Sequence, residues 1–378
     1  MEPRPSEEPS HQTPSAVTFI PVSDASSPIL ADYRDLKSPS LRENEFRGRT
    51  TLFIAEGETV TRTVLSEGSL YPVRSVILTE HHRDKMADVW EDLTKRLVST
   101  TTNGSGNQQQ VPIPIYVAPQ PLLEQLTGFH FHRGVLASVD IPPPPPLTDI
   151  LSTSDVAVVL QRVNGIDNVG SIFRNVACLA GKDRSCVLLT RDCCHPLYRK
   201  AVRVSVGHAA RVRFGIIDGW DESAPSRDDH EHEQEDDPWE GPSEGQYAVG
   251  KTVRTKPTKR ERKLMRQESR RATAINQETE GDVEANRASG DPPPDPLTLL
   301  EQHGFTTIAF TPNPHATDIR SIPRGSLAKP AIIVGAEGPG LDTSTIRRAQ
   351  LKIRIPMAEG ADSLNVATSV AIALSWLV

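Results

Sequence analysis

The sequence predicts an α/β protein in two parts: a small N-terminal α/β domain, then a larger one with a mainly parallel sheet and flanking helices. Three observations carry this. Short apolar runs alternate with helix-spaced segments over 51–141, and again from Val156 onward. The run VAVVLQRV (156–163) is apolar at successive positions, as a strand covered on both faces must be. The length, 378 residues, suits two domains better than one.

Residues 1–45 are rich in Pro, Ser and Glu and are expected to form a disordered tail. From Thr51 the pattern changes. TLFIAEG is a short apolar strand, Thr59 to Ser66 is helical, and SVILTE (75–80) is a second strand. Lys85 to Leu97 has helical spacing, and the polar tract at 99–110 is a loop. IPIYVA (113–118), the helix in PQPLLEQLTG and GVLASVDI (134–141) complete a domain over 46–141. Five consecutive prolines, Pro142 to Pro146, favour extended polyproline geometry, so 142–152 is a semi-rigid linker.

The second domain spans 153–378. After 156–163, the turn NGIDN leads into a helix over 169–181 ending at Gly181. SCVLLT (185–190) is a strand, Pro196 to Val206 a helix, and RVRFGII (211–217) a strand. The pattern then stops at 221–295, where opposite charge blocks and few aliphatics predict a disordered insert. Its basic block leaves three roles open: a transient helix, an RNA tether or a nuclear-import signal. Order resumes with LTLLEQHG as helix, TTIAFTP (306–312) and PAIIVG (330–335) as strands, LKIRIPM (351–357) as a strand, and an apolar closing helix over 363–378.

Net charge is −7, which alone argues against a simple nucleic-acid binder. Residues 221–295 carry 12 basic and 19 acidic residues, so the remainder is balanced at 30 of each. A neutral remainder accommodates a local basic face, and an RNA partner stays compatible with the composition. No run of 18 apolar residues predicts a membrane-spanning helix. The first residues, MEPRPSEEPSHQTPSA, lack an apolar stretch behind a basic start, so no secretory signal is expected, and they are too acidic for an ordinary transit peptide. Cys178, Cys186, Cys193 and Cys194 fit no zinc spacing, and the adjacent pair makes a poor disulfide. Reduced thiols in an intracellular protein and no metal site are expected; His230 and His232 stand isolated among carboxylates.

Three polar segments carry the chemistry. In Asn168-Val169-Gly170-Ser171-Ile172-Phe173-Arg174, Asn168 suits a helix N-cap, Gly170 permits close backbone approach, and Arg174 stands on an otherwise apolar helix. In Val334-Gly335-Ala336-Glu337-Gly338-Pro339-Gly340-Leu341, three glycines after a buried strand allow a tight turn that presents backbone groups to a ligand. It is neither a dinucleotide fingerprint nor a P-loop. In Ile355-Pro356-Met357 followed by Asp362-Ser363-Leu364-Asn365-Val366, Asp362 or Ser363 would cap the last helix, which leaves Asn365 unexplained.

Each segment is unspecific alone; the three in this order resemble the SpoU/TrmH family of SPOUT methyltransferases. That family reads N-x-G-x-x-x-R, then G-x-E-G-x-G, then I-P-M followed by D/N-S-L-N-V, and all three stand here unaltered. HPLYRKAVRVSVGHAA (195–210), FIAEGETVTRTVL and TGFHFHRGVLA are also similar to the family's stretches. The likeness covers about 47–220 and 296–378. It implies a SPOUT α/β knot, a deep trefoil, in the C-terminal domain, and makes 46–141 an RNA substrate-binding domain. It also implies a homodimer with cofactor sites near its interface, S-adenosyl-L-methionine as cofactor, and an RNA ribose 2′-hydroxyl as methyl acceptor.

By that resemblance Arg174 is the catalytic residue. Asn168, Glu337, Ser363 and Asn365 fix it and the nucleotide. Val334, Gly335, Glu337, Gly338, Ile355, Met357, Ser363 and Leu364 line the cofactor cleft. Ribosomal RNA is the favoured substrate over transfer RNA, and a cytoplasmic location is expected, with mitochondrion and nucleus left open. The alternatives are a catalytically silent ribosome-assembly factor and a base-methylating SPOUT enzyme.

Overall fold

A computed structural model describes residues 17–102, 112–217, 220, 295–361 and 363–378. The first 16 residues of the expected tail, most of the polar loop, the insert with His230 and His232 (221–294), and Asp362 lie outside the described residues.

The N-terminal sheet has five strands in the order β1-β4-β3-β5-β2. They are β1 (Val17–Pro21), β2 (Leu52–Glu56), β3 (Val73–Leu78), β4 (Ile113–Val117) and β5 (Val135–Asp140). β1, β4 and β3 pair in parallel, and β5 pairs antiparallel with both β3 and β2.

Here the expectation of a disordered tail over 1–45 is corrected. β1 adds an edge strand beside β4, and a helix covers Pro39–Phe46. Leu30, Tyr33 and Leu36 are buried in a cluster with Ile54, Ile77 and Leu123. Tyr33 also bonds Ser75 through its hydroxyl at 2.7 Å. Half of the Pro, Ser and Glu of 1–45 falls in its first 16 residues, and the average over the stretch hid the apolar positions between Val17 and Leu36.

The C-terminal sheet has seven strands, all parallel, in the order β10-β12-β9-β11-β6-β7-β8. They are β6 (Val156–Gln161), β7 (Ser185–Thr190), β8 (Arg213–Ile217), β9 (Thr306–Phe310), β10 (Thr317–Asp318), β11 (Pro330–Gly335) and β12 (Leu351–Arg354). Every residue of β6 and β7 is buried, which explains text that is apolar except at their ends, Gln161, Ser185 and Thr190. From β6 the chain steps to β7 and β8 on one side, and later strands fill the other. That reversal opens a crevice at the carboxyl ends of β6 and β11, where parallel sheets bind ligands.

Both sheets belong to one compact unit. The prolines 142–146 are exposed and form no regular element, yet they are not all that joins the sheets. His195 N–H donates to Phe46 O at 2.9 Å, Leu70 N–H to Ala210 O at 2.9 Å, and the buried Arg199 to Leu36 O at 2.7 Å. Glu56, at the end of β2, is buried among the guanidinium groups of Arg133, Arg199 and Arg203 at 3.4–3.8 Å. Burying a carboxylate is tolerable only with such partners.

The chain leaves the described region after Trp220 and returns at Asp295, and both residues are tied to one helix, Thr343–Arg348. Trp220 Nε1–H donates to Thr345 Oγ1 at 2.9 Å, and Arg348 Nη1 donates to Asp295 Oδ1 at 2.7 Å. All four cysteines are free thiols. Among the described residues no helix is long and apolar enough to cross a membrane.

Candidate active site

The first motif begins one loop after β6. Its helix spans Ile166–Asn175, with Gly165 as N-cap, followed by a wider π-type turn over Val176–Gly181. The expected N-cap role of Asn168 is therefore corrected: Asn168 lies inside the first turn. Its carboxamide is held elsewhere, donating from Nδ2 to Glu337 Oε1 at 2.6 Å. Gly165 is what makes room, because a Cβ there would meet Asn168 Nδ2 at 2.8 Å. Gly170 serves packing, since a Cβ would sit 2.7 Å from the Ala201 carbonyl oxygen and from Val204. The close approach it permits is to the helix Arg199–Val204.

The second motif is the turn after β11. Gly340 N–H donates to Ala336 O at 3.0 Å, and Gly338 and Gly340 take φ of +84° and +71°. Only glycine adopts such angles without strain. The turn folds back over Gly335, where a Cβ would lie 2.2 Å from Gly340 backbone atoms. Glu337 is thereby lifted, exposed, toward the first motif.

The third motif follows β12, which ends at Arg354, so Ile355 and Met357 lie in the partly buried segment beyond it and not in the strand. The last helix spans Val366–Leu377. Its N-cap is Asn365, not Asp362 or Ser363: Asn365 Oδ1 accepts from Ala367 N at 3.0 Å and Thr368 N at 3.3 Å. The opposite end of the same carboxamide donates to Asn168 Oδ1 at 2.8 Å and to Glu337 Oε1 at 3.4 Å. One asparagine thus satisfies the helix and closes a triangle, which accounts for the residue that capping by its neighbours left over.

The structure brings together Asn168, Glu337 and Asn365, one from each motif. It does not bring Arg174 into the triangle. Arg174 is exposed, on another face of its helix, with no hydrogen bond or ion pair among the described residues. It lies near His208, whose imidazole is held below its ordinary range by burial first, then by Arg211 and Arg174. Ser363 is exposed and likewise outside the triangle. Val334 is 3% exposed, its side chain in the apolar core, so only its backbone is available to the cleft.

A cofactor with an apolar and a polar face fits these residues. A Cβ at Gly338 or Gly340 would meet nothing within 4 Å, so the turn's backbone is bare to an approaching ligand. Leu364 keeps 41% of its surface exposed, an apolar contact that the protein itself leaves unused. Glu337 Oε2 has no partner among the described residues, whereas Oε1 is taken.

Sequence reasoning missed a second polar cluster behind the turn: Gln161, Arg162, Asp342, Thr345 and Trp220. Gln161 Nε2 donates to Asp342 Oδ2 at 2.8 Å and Thr345 Oγ1 at 3.1 Å, and Arg162 forms an ion pair with Asp342. The available signal was Gln161 itself, a polar residue closing the run VAVVLQ.

The fold is the mixed α/β class with a parallel sheet that the sequence predicts, and comparison with known proteins shows what the chain resembles. The model of the SpoU rRNA Methylase family matches residues 261–375, which take in the second and third motifs. An uncharacterized tRNA/rRNA methyltransferase of Mycobacterium tuberculosis is 28% identical over 363 residues, 96% of this chain and 92% of that protein. The AdoMet-bound rRNA methyltransferase of Sinorhizobium meliloti superposes with a TM-score of 0.55 at 17% identity, covering 94% of this chain and 96% of that one. A solved RNA 2′-O ribose methyltransferase superposes at 0.50 with 16% identity, covering 95% and 97%. The chain is thus similar to SpoU methyltransferases, by the family model over its C-terminal part and by relatives over nearly its whole length. The Sinorhizobium meliloti protein and the SpoU methyltransferase AviRb of Streptomyces viridochromogenes, the latter with a TM-score of 0.50 at 18% identity, are both solved with AdoMet.

Proposed function

We propose that this protein methylates the 2′-hydroxyl of a ribose in RNA, with ribosomal RNA favoured over transfer RNA. The observation that carries the reading is the Asn168–Glu337–Asn365 triangle, which joins three sequence motifs at the carboxyl ends of β6 and β11. S-adenosylmethionine, when bound, supplies an electrophilic methyl group on a sulfonium, so the protein's part is positioning and electrostatics.

In this reading Gly335, Gly338 and the backbone of Val334 hold the cofactor, with Ile355, Met357 and Leu364 giving apolar contact and Ser363 a hydroxyl. Glu337 keeps Oε2 for a ligand hydrogen bond while Asn168 and Asn365 lock Oε1. Arg174 orients the ribose and its phosphate through the N–H groups of its planar guanidinium. Its lack of a hydrogen-bond or ion-pair partner among the described residues suits that task. The cleft lined by Gly57, Glu58, His82, His132 and Arg133, about 230 Å³, is where the N-terminal sheet offers polar groups to RNA. The reading includes the trefoil knot and a homodimer; light scattering on the purified chain tests the homodimer.

The deciding experiment is methyl transfer from labelled S-adenosylmethionine to unmodified ribosomal and transfer RNA, followed by alkaline hydrolysis. Label in alkali-resistant dinucleotides supports ribose methylation and names the RNA class. Label in mononucleotides refutes it in favour of a base, and no label despite cofactor binding refutes it in favour of a silent RNA-binding factor.

A further inference from the structure

The turn Gly335–Leu341 needs two fixed ends to keep its shape. One end is fixed by the sheet, where Gly335 pairs in register with Gln161 on β6. The other end is Asp342, and the same Gln161 fixes it. Gln161 is 1% exposed, and its carboxamide spans the gap: Nε2 donates to Asp342 Oδ2 at 2.8 Å, and Oε1 accepts from Asp342 N–H at 3.0 Å. The second Nε2 hydrogen goes to Thr345 Oγ1 at 3.1 Å, so both donors are used.

Asp342 is equally committed. It stands at the N-cap of the helix Thr343–Arg348, where Asp ordinarily accepts from the helix's first N–H groups, yet it makes no such bond. Its carboxylate is given to Gln161 and Arg162 instead. Arg162 reaches it from a left-handed backbone, φ +57°, a conformation that strains a non-glycine residue. An unused cap and a strained neighbour both point to a geometry maintained for something beyond the helix.

We propose that Gln161 and Asp342 are positioning residues that clasp the turn Gly335–Leu341 into its ligand-binding shape and so set affinity for S-adenosylmethionine. Neither touches the reacting atoms. The inference rests on the active-site reading above, and it assigns a role to residues outside the three motifs.

The test uses the full chain and S-adenosylhomocysteine titrated calorimetrically, with melting temperature and steady-state kinetics alongside. Gln161→Glu replaces both donors with a carboxylate facing Asp342. It is expected to weaken S-adenosylhomocysteine binding and raise KM for S-adenosylmethionine by about tenfold each, with kcat at saturation within about threefold. Adding Asp342→Asn restores a donor–acceptor pair of reversed polarity and is expected to recover binding to within about threefold of the wild type. Gln161→Leu, which fills the site without hydrogen bonds, should lose affinity with no recovery by Asp342→Asn. Wild-type affinity in both single variants overturns the clasp. So does lost affinity that tracks a falling melting temperature and is not rescued in the double variant, since that outcome marks a purely structural role. A wild-type chain that binds no S-adenosylhomocysteine refutes the active-site reading itself, and is seen before any variant is compared.

Discussion

Asn365 Nδ2 donates to Asn168 Oδ1 at 2.8 Å, although 197 positions separate the two residues. The bond joins the first turn of one helix to the cap of another and leaves Glu337 fastened from both sides. Asn365→Asp separates the two duties of this residue. A carboxylate still caps, so the melting temperature should stay within about 3 °C of the wild type. It donates to neither Asn168 nor Glu337 and adds a like charge beside the latter, so turnover should fall by about 100-fold or more. Asn365→Ala loses both duties and should also cost about 1 kcal/mol of stability. Thermal melts with methyl-transfer rates check all three values.

Arg174 has no partner inside the described chain, so its removal leaves nothing unsatisfied. Arg174→Ala should therefore fold normally, bind S-adenosylhomocysteine within about threefold of the wild type, and lose turnover by about three orders of magnitude. Arg174→Lys should recover little, because an ammonium cannot reproduce a planar fork of donors. A comparable loss of cofactor affinity would contradict the assignment.

The seam between the sheets holds two groups that titrate in opposite senses. Burial pushes the Glu45 carboxyl up to about 7, against the pull of Arg199, and pushes the His195 imidazole down to about 4. Glu45 contributes stability that is full below its unfolded value near 4.5 and is lost as pH rises through 7. His195 contributes stability that is full above its unfolded value near 6.5 and is lost as pH falls toward 4. Between about pH 4.5 and 6.5 the two slopes cancel. In Glu45→Gln the cancellation is gone, and stability relative to the wild type should rise by about 1.4 kcal/mol per pH unit over that window. Urea titrations of both proteins at several pH values measure it; parallel curves would sink the claim.

Trp220 and Asp295 are tied to Thr345 and Arg348, neighbours one turn apart on a single helix. A short Gly/Ser bridge in place of 221–294 should then preserve the fold. The melting temperature should stay at or above that of the full chain. A collapse of the melting temperature would show that the segment contributes to the core.

Much of this was legible in the sequence, for physical reasons. β6 and β7 announce themselves because strands covered on both faces contain almost nothing polar. The three motifs stand out because polar residues at strand ends and helix starts interrupt that text. What misled was local reasoning about groups whose partners are remote. Asn168 has the chemistry of a cap, and only the position of Glu337, 169 residues away, diverts it. Val17 to Leu36 lies within a Pro- and Ser-rich stretch, and its apolar residues gain meaning only beside β4 and Ile54. Gln161 and Asp342 carried no pattern at all, because a clasp 181 residues wide leaves none.

Arg199 and Arg203 reach from the C-terminal part to Glu56, which Arg133 flanks, so under the proposed function the two sheets would act as the jaws of a caliper set to one opening. An RNA lying across both the His132–Arg133 cleft and the Gly335–Leu341 turn would be measured before it is read. Its target nucleotide would be chosen by its distance from a second point of contact, and loosening Arg199 would widen the range of nucleotides accepted without touching the chemistry that modifies them.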